Sequence, residues 1–175
     1  MLRKLLLSLT LGSMAVLSFA PAALAEGGVS GKMDLKWNAC YGGPPSEEVP
    51  DWIGTVELDG AVHDILYFNV ATGRPPTLPP QEPPMLSAHE IWAIYDGLEL
   101  LFDDECAIET FEGDLVLWGH DYGVATLPDF VLNGTVIEAS ADFTELAGHD
   151  VTISGVVDLT EEGAPSAAPG EFVIC

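Results

Sequence analysis

The chain has 175 residues, with 28 Asp or Glu against five Lys or Arg, and a formal net charge of −23 at neutral pH. It offers no basic footprint to a nucleic acid or an anionic membrane surface, which argues against both as partners. Hydrophobic residues make up 48% of the chain, enough for a core and too many for a disordered acidic tail.

Residues 1–25 read as a secretory signal peptide. Arg3 and Lys4 form a positive start, Leu5 to Ala20 an apolar stretch, and Ala23-Leu24-Ala25 a small-residue cleavage site. Pro21 and the cleavage site come too early for a membrane span, which needs roughly 20 apolar residues. Cleavage would leave residues 26–175 as one acidic domain, secreted into a periplasm or the extracellular space and free of the membrane. Only Lys32, Lys36 and Arg74 would then face all 28 acids. A charge of that size points to a salty habitat that screens it, or to divalent cations held on the acidic surface.

Beyond residue 31 the main signal is alternation with period two. Lys32 to Trp37 alternates polar and apolar, as a half-buried strand does. Trp52–Leu58 and Ala61–Val70 flank Asp59-Gly60. His89–Tyr95 and Leu98–Asp103 flank Asp96-Gly97. Phe130–Leu132 and Thr135–Phe143 flank Asn133-Gly134. Such dipeptides favour two-residue hairpin turns, because both central residues need positive φ. With Asp114–Trp118, His149–Leu159 and Phe172–Ile174, the chain is predicted to be all-β. It would have about nine antiparallel strands, as a meander barrel in preference to a sandwich. Thr144 to Gly148 is the one stretch expected to form a helical turn. Between strands, residues 73–88 hold three Pro-Pro pairs and predict an extended polyproline loop near one end of the barrel.

Three cysteines leave three pairings open. Cys40 and Cys106 lie in polar surroundings and are the favoured disulfide, whereas Cys175 ends an apolar run.

All four histidines precede an acid: His63-Asp64, His89-Glu90, His120-Asp121 and His149-Asp150. Strand neighbours point to opposite faces. If the acids face solvent, the histidines face inward. His63 then joins Tyr67, His89 joins Tyr95, and His120 joins Trp118. These six residues, His63, Tyr67, His89, Tyr95, Trp118 and His120, are the candidate lining of an interior pocket.

No metal-ligand spacing, nucleophile motif or calcium-loop pattern accompanies them, so no cofactor and no catalytic residue can be named. The meander with an inward aromatic and histidine face resembles, in architecture alone, small ligand-binding barrels of the lipocalin or avidin type and barrel cyclases. That resemblance implies an interior site and transfers no residue. The leading expectation is binding of a small, partly apolar ligand inside the barrel. An isomerase or cyclase using an inward histidine such as His63, and an acidic cation-binding surface or matrix protein, are the alternatives.

Overall fold

A computed structural model describes residues 28–41, 48–73 and 85–175. The predicted signal peptide and most of the Pro-rich loop lie outside these residues. The described elements in chain order are β1 (Val29–Trp37), β2 (Trp52–Leu58), β3 (Ala61–Gly73), β4 (Met85–Phe102), β5 (Ile108–Thr126), β6 (Asp129–Ala139), a 3-10 turn (Ala141–Leu146), β7 (Asp150–Val156), β8 (Asp158–Leu159) and β9 (Pro165–Ile174).

The fold is an all-β antiparallel barrel. Strands β1 to β7 pair in sequence order, β7 pairs with β9, and β9 closes on β1 from Val29↔Ile174 to Lys36↔Ala167. The short β8 adds to the start of β9 outside the ring of eight. Closure removes the free sheet edges that an open meander would expose.

Alternation explains the core. Met33 and Leu35 of β1, Val56 and Leu58 of β2, Ile65 and Tyr67 of β3, Trp92 and Ile94 of β4, Phe130, Leu132 and Val136 of β6, Val151 and Ile153 of β7, and Ala168, Phe172 and Ile174 of β9 point inward and are buried. At one end, Leu146 of the 3-10 turn is fully buried and Phe143 packs on the cluster, so this turn closes the barrel. The other end carries the ends of β1, β3 and β5 and the starts of β2, β4 and β6. We call it the mouth.

Of the three predicted hairpin turns, one is a turn. Asp59 and Gly60 have φ of 48° and 78° and join β2 to β3. Asp96-Gly97 instead lies within β4, where the pairing with β5 skips from Asp96 to Glu99. Gly97 has φ of 62°, and the ribbon bends there. Asn133-Gly134 lies in the middle of β6, paired with β5 on one side and β7 on the other. Gly134 is there for space, since a Cβ would overlap the His120 carbonyl on the neighbouring strand. The true β4–β5 tip is Asp103–Ala107, where Asp103 Oδ1 accepts the backbone N–H groups of Glu105 and Ala107 at 2.9 and 2.8 Å.

Beyond the bend, the β4–β5 hairpin folds back over the outside of the barrel. The Leu98 N–H donates to Asp64 Oδ2 on the outer face of β3 (3.2 Å). The tip residue Cys106 is bonded to Cys40, just beyond β1 at the mouth. Leu66 and Ala93 point outward yet are buried, as cover by this arm requires. The predicted Cys40–Cys106 disulfide is therefore the clasp of the arm, and Cys175 is a free, exposed thiol.

Candidate functional site at the barrel mouth

The inward face of each strand is fixed by register. Tyr67 faces Trp92, Trp92 faces Gly119, and Ile94 faces Leu117. The indole of Trp92 fills the space over Gly119, where a Cβ would strike the ring. Two residues toward the mouth from this pair are Glu90 on β4 and Asp121 on β5, directly opposite each other. Directly opposed inward residues have Cβ atoms about 5 Å apart. Both acids are thus inside the barrel, with Glu90 at 9% exposure and Asp121 at 0%. Asp51, just before β2, is a third buried acid at 1%.

This placement reverses the expected phase of two strands. His89 and Tyr95 of β4, and Trp118 and His120 of β5, lie on the outer face and do not line the interior. Glu90 and Asp121 face the core and not solvent, because they share their faces with Trp92, Ile94, Leu117 and Gly119. The outer residues instead form a surface cluster. His89 stacks on Tyr122 with ring centroids 4.5 Å apart, and His120 meets both edge-on. The Trp118 indole N–H donates to Glu138 Oε2 (3.1 Å). Tyr95 packs edge-on against Phe111 of the arm.

His63 and Tyr67 do point inward, but to different ends. His63 is buried near the closed end, with Nδ1 2.6 Å from Asp96 Oδ1 and its ring against Phe143. It pins the bend of β4 to β3. Tyr67 is fully buried on the mouth side, with its hydroxyl 3.8 Å from Met33 Sδ.

A cavity of about 80 Å³ opens at the mouth. Met33, Leu35, Trp52, Tyr67, Phe130 and Leu132 form much of its wall, and Glu90 is its one acidic lining residue. Trp52 continues into an aromatic rim. Its ring meets Trp37 edge-on at 5.0 Å, and Trp37 meets Tyr41 at 5.3 Å. Of the six residues expected to line a pocket, only Tyr67 does so.

The electrostatics here are those of acids without counter-charges. Burial pushes the Asp51 carboxyl up to about 7, opposed by its own N–H and those of Trp52 and Asn69. No donor reaches hydrogen-bond geometry to either Asp51 oxygen. Burial, then the nearby Asp51 charge, pushes Asp121 up to about 8, and both its oxygens lack partners as well. Burial, then Asp51 and Asp121, raises Glu90 well above the usual carboxylate range. Burial and the same three acids raise Tyr67. The two described bases, Lys32 and Lys36, are exposed on β1 and cannot neutralise the interior. Desolvation and mutual repulsion both favour the protonated forms. Near neutral pH the trio therefore retains protons.

Among the described residues, no group of three or more His, Cys, Asp or Glu is placed to hold a metal ion. No helix among them is long and apolar enough to cross a membrane. Comparison of the chain with models of known protein families, with curated protein sequences and with solved structures finds no match.

Proposed function

We propose that the protein is an exported binding barrel that takes a small, partly apolar ligand at its mouth. The observation that carries this reading is the cavity itself: apolar and aromatic walls converge on a single acidic group, Glu90. Ligand sites commonly combine apolar lining with a few placed polar groups. The size constrains the ligand. An engineered cavity of about 150 Å³ accepts benzene, so about 80 Å³ takes a group of a few non-hydrogen atoms, with the rest of the ligand against the aromatic rim. The alternative of catalysis by His63 finds less support, since His63 does not line this cavity and its Nδ1 is engaged by Asp96. Export rests on the N-terminal pattern of residues 1–25, and a disulfide suits an oxidising compartment.

The test is mass measurement of the purified protein under native and then denaturing conditions, combined with NMR of the Trp52 indole N–H. A non-covalent mass lost on denaturation, or a small fragment that shifts the Trp52 signal, is expected. No added mass, with no shift from a set of small neutral and cationic fragments, would contradict the reading.

A further inference from the structure

The mouth cavity joins two features that ordinarily serve different ligands. Its walls are apolar and include three aromatic side chains, Trp52, Tyr67 and Phe130. Its one acidic lining group, Glu90, directly faces Asp121, and Asp51 lies close enough to act on both. Three acids so placed, with four Asp oxygens unpartnered and both described bases outside, lack a positive partner and stay neutral only while they hold protons. A neutral apolar ligand would supply no such partner, and an anion would oppose ionisation further. A hydrated divalent ion would suit the carboxylates but not the aromatic walls. An organic ammonium group satisfies both, since it is attracted to carboxylates and to aromatic rings while its alkyl groups pack on apolar surface.

Resting on the binding-barrel reading above, we infer that the mouth cavity recognises a small organic cation, an alkylated ammonium head. Glu90 meets the cation, Asp121 and Asp51 supply charge behind it, and Trp52, Tyr67 and Phe130 supply the apolar and aromatic wall. Because the trio holds protons when the site is empty, entry of a permanent positive charge expels a proton. The groups that share this titration are Asp51, Glu90, Asp121 and Tyr67, with Tyr41 at the rim facing Asp51 and Glu90.

Choline and its uncharged isostere 3,3-dimethylbutan-1-ol test this directly. Choline cannot gain or lose a proton at neutral pH, so any proton released comes from the protein. Calorimetric titration at pH 7 is run in two buffers of different ionisation enthalpy, with calcium chloride as a third titrant. Expected are choline binding at least about tenfold tighter than the isostere, measurable proton release, and loss of the preference in Glu90→Gln. Binding of the isostere as tightly as choline would overturn the ammonium inference and leave the binding cavity standing. Glu90-dependent calcium binding without choline binding would overturn it in favour of a metal. Binding of no probe would overturn the ammonium inference, and the native-mass and fragment measurements then decide the cavity reading separately.

Discussion

Glu90 and Asp121 are the residues whose placement decides the chemistry, and they make a testable statement about stability. An acid whose folded pKa is raised binds more protons in the folded state than in the unfolded state, between its ordinary value and the raised one. Folding stability must then fall as pH rises through that window. For Asp121 the window runs from about 4 to about 8, and for Asp51 from about 4 to about 7. The protein should be more stable at pH 5 than at pH 8, by an amount on the order of a few kcal/mol. Repulsion among surface acids gives the same sign, but salt screens it and leaves the buried acids largely unaffected. Denaturant melts in 1 M salt should therefore retain the slope in the native chain and show a shallower one in Asp121→Asn. That variant should also gain stability at pH 8. An equal slope in both would show that the buried acid contributes nothing.

Of these two acids only Glu90 was legible in the sequence. Glu90 alternates with the core residues Trp92 and Ile94, whereas Val116 and Trp118 share the parity of His120, so Asp121 is placed by its pairing opposite Glu90. Histidine attracts attention as the neutral polar group suited to an interior. On β4 the larger apolar payload on the other parity was the better guide, because burying Trp92 offsets much of the cost of keeping a protonated acid beside it.

At the scale of elements, β4 and β5 read as three short strands in the sequence and are two long ones. Asp96-Gly97 has hairpin chemistry but bends a continuing ribbon, because pairing with β5 resumes at Glu99 while the Leu98 N–H turns to Asp64 on the outside of the barrel. Local turn propensity cannot distinguish a reversal from a bend when the next partner lies elsewhere in the fold. The arm depends on its clasp. Cys40 and Cys106 are 66 residues apart, and the chain-entropy argument values such a cross-link at about 4 kcal/mol. Cys40→Ser with Cys106→Ser should lower the unfolding free energy by up to that amount. It should also speed hydrogen exchange at Leu66, which the arm covers. Unchanged exchange at Leu66 would mean that the arm holds its place without the bond. On β6, Gly134→Ala should destabilise by about 1–3 kcal/mol through overlap with the His120 carbonyl, as for other overpacked sites. A turn at Asn133-Gly134 would tolerate the change far better, so equilibrium unfolding of this variant separates the two arrangements.

At the scale of the whole molecule, closure of eight strands creates an interior that is filled at one end and open at the other. The closed end is sealed by Leu146 and Phe143 and pinned by His63 to Asp96. The mouth holds the cavity, its aromatic rim and the three acids. The all-β class was readable from alternation, and the meander barrel was the favoured arrangement, although only one of the three expected turns is one. Which end stays open was not readable, since that depends on where the 3-10 turn packs and on the register of strands far apart in sequence. The central claim is that Asp51, Glu90 and Asp121 lie inside this mouth, away from water and without counter-charges. The most direct measurement is a carbon-13 NMR titration of their side-chain carboxyl groups between pH 3 and pH 9. Members of the trio are expected to titrate above pH 6, well above the ordinary carboxylate range near 4. Titration of all three near 4 would place them in water and contradict that claim.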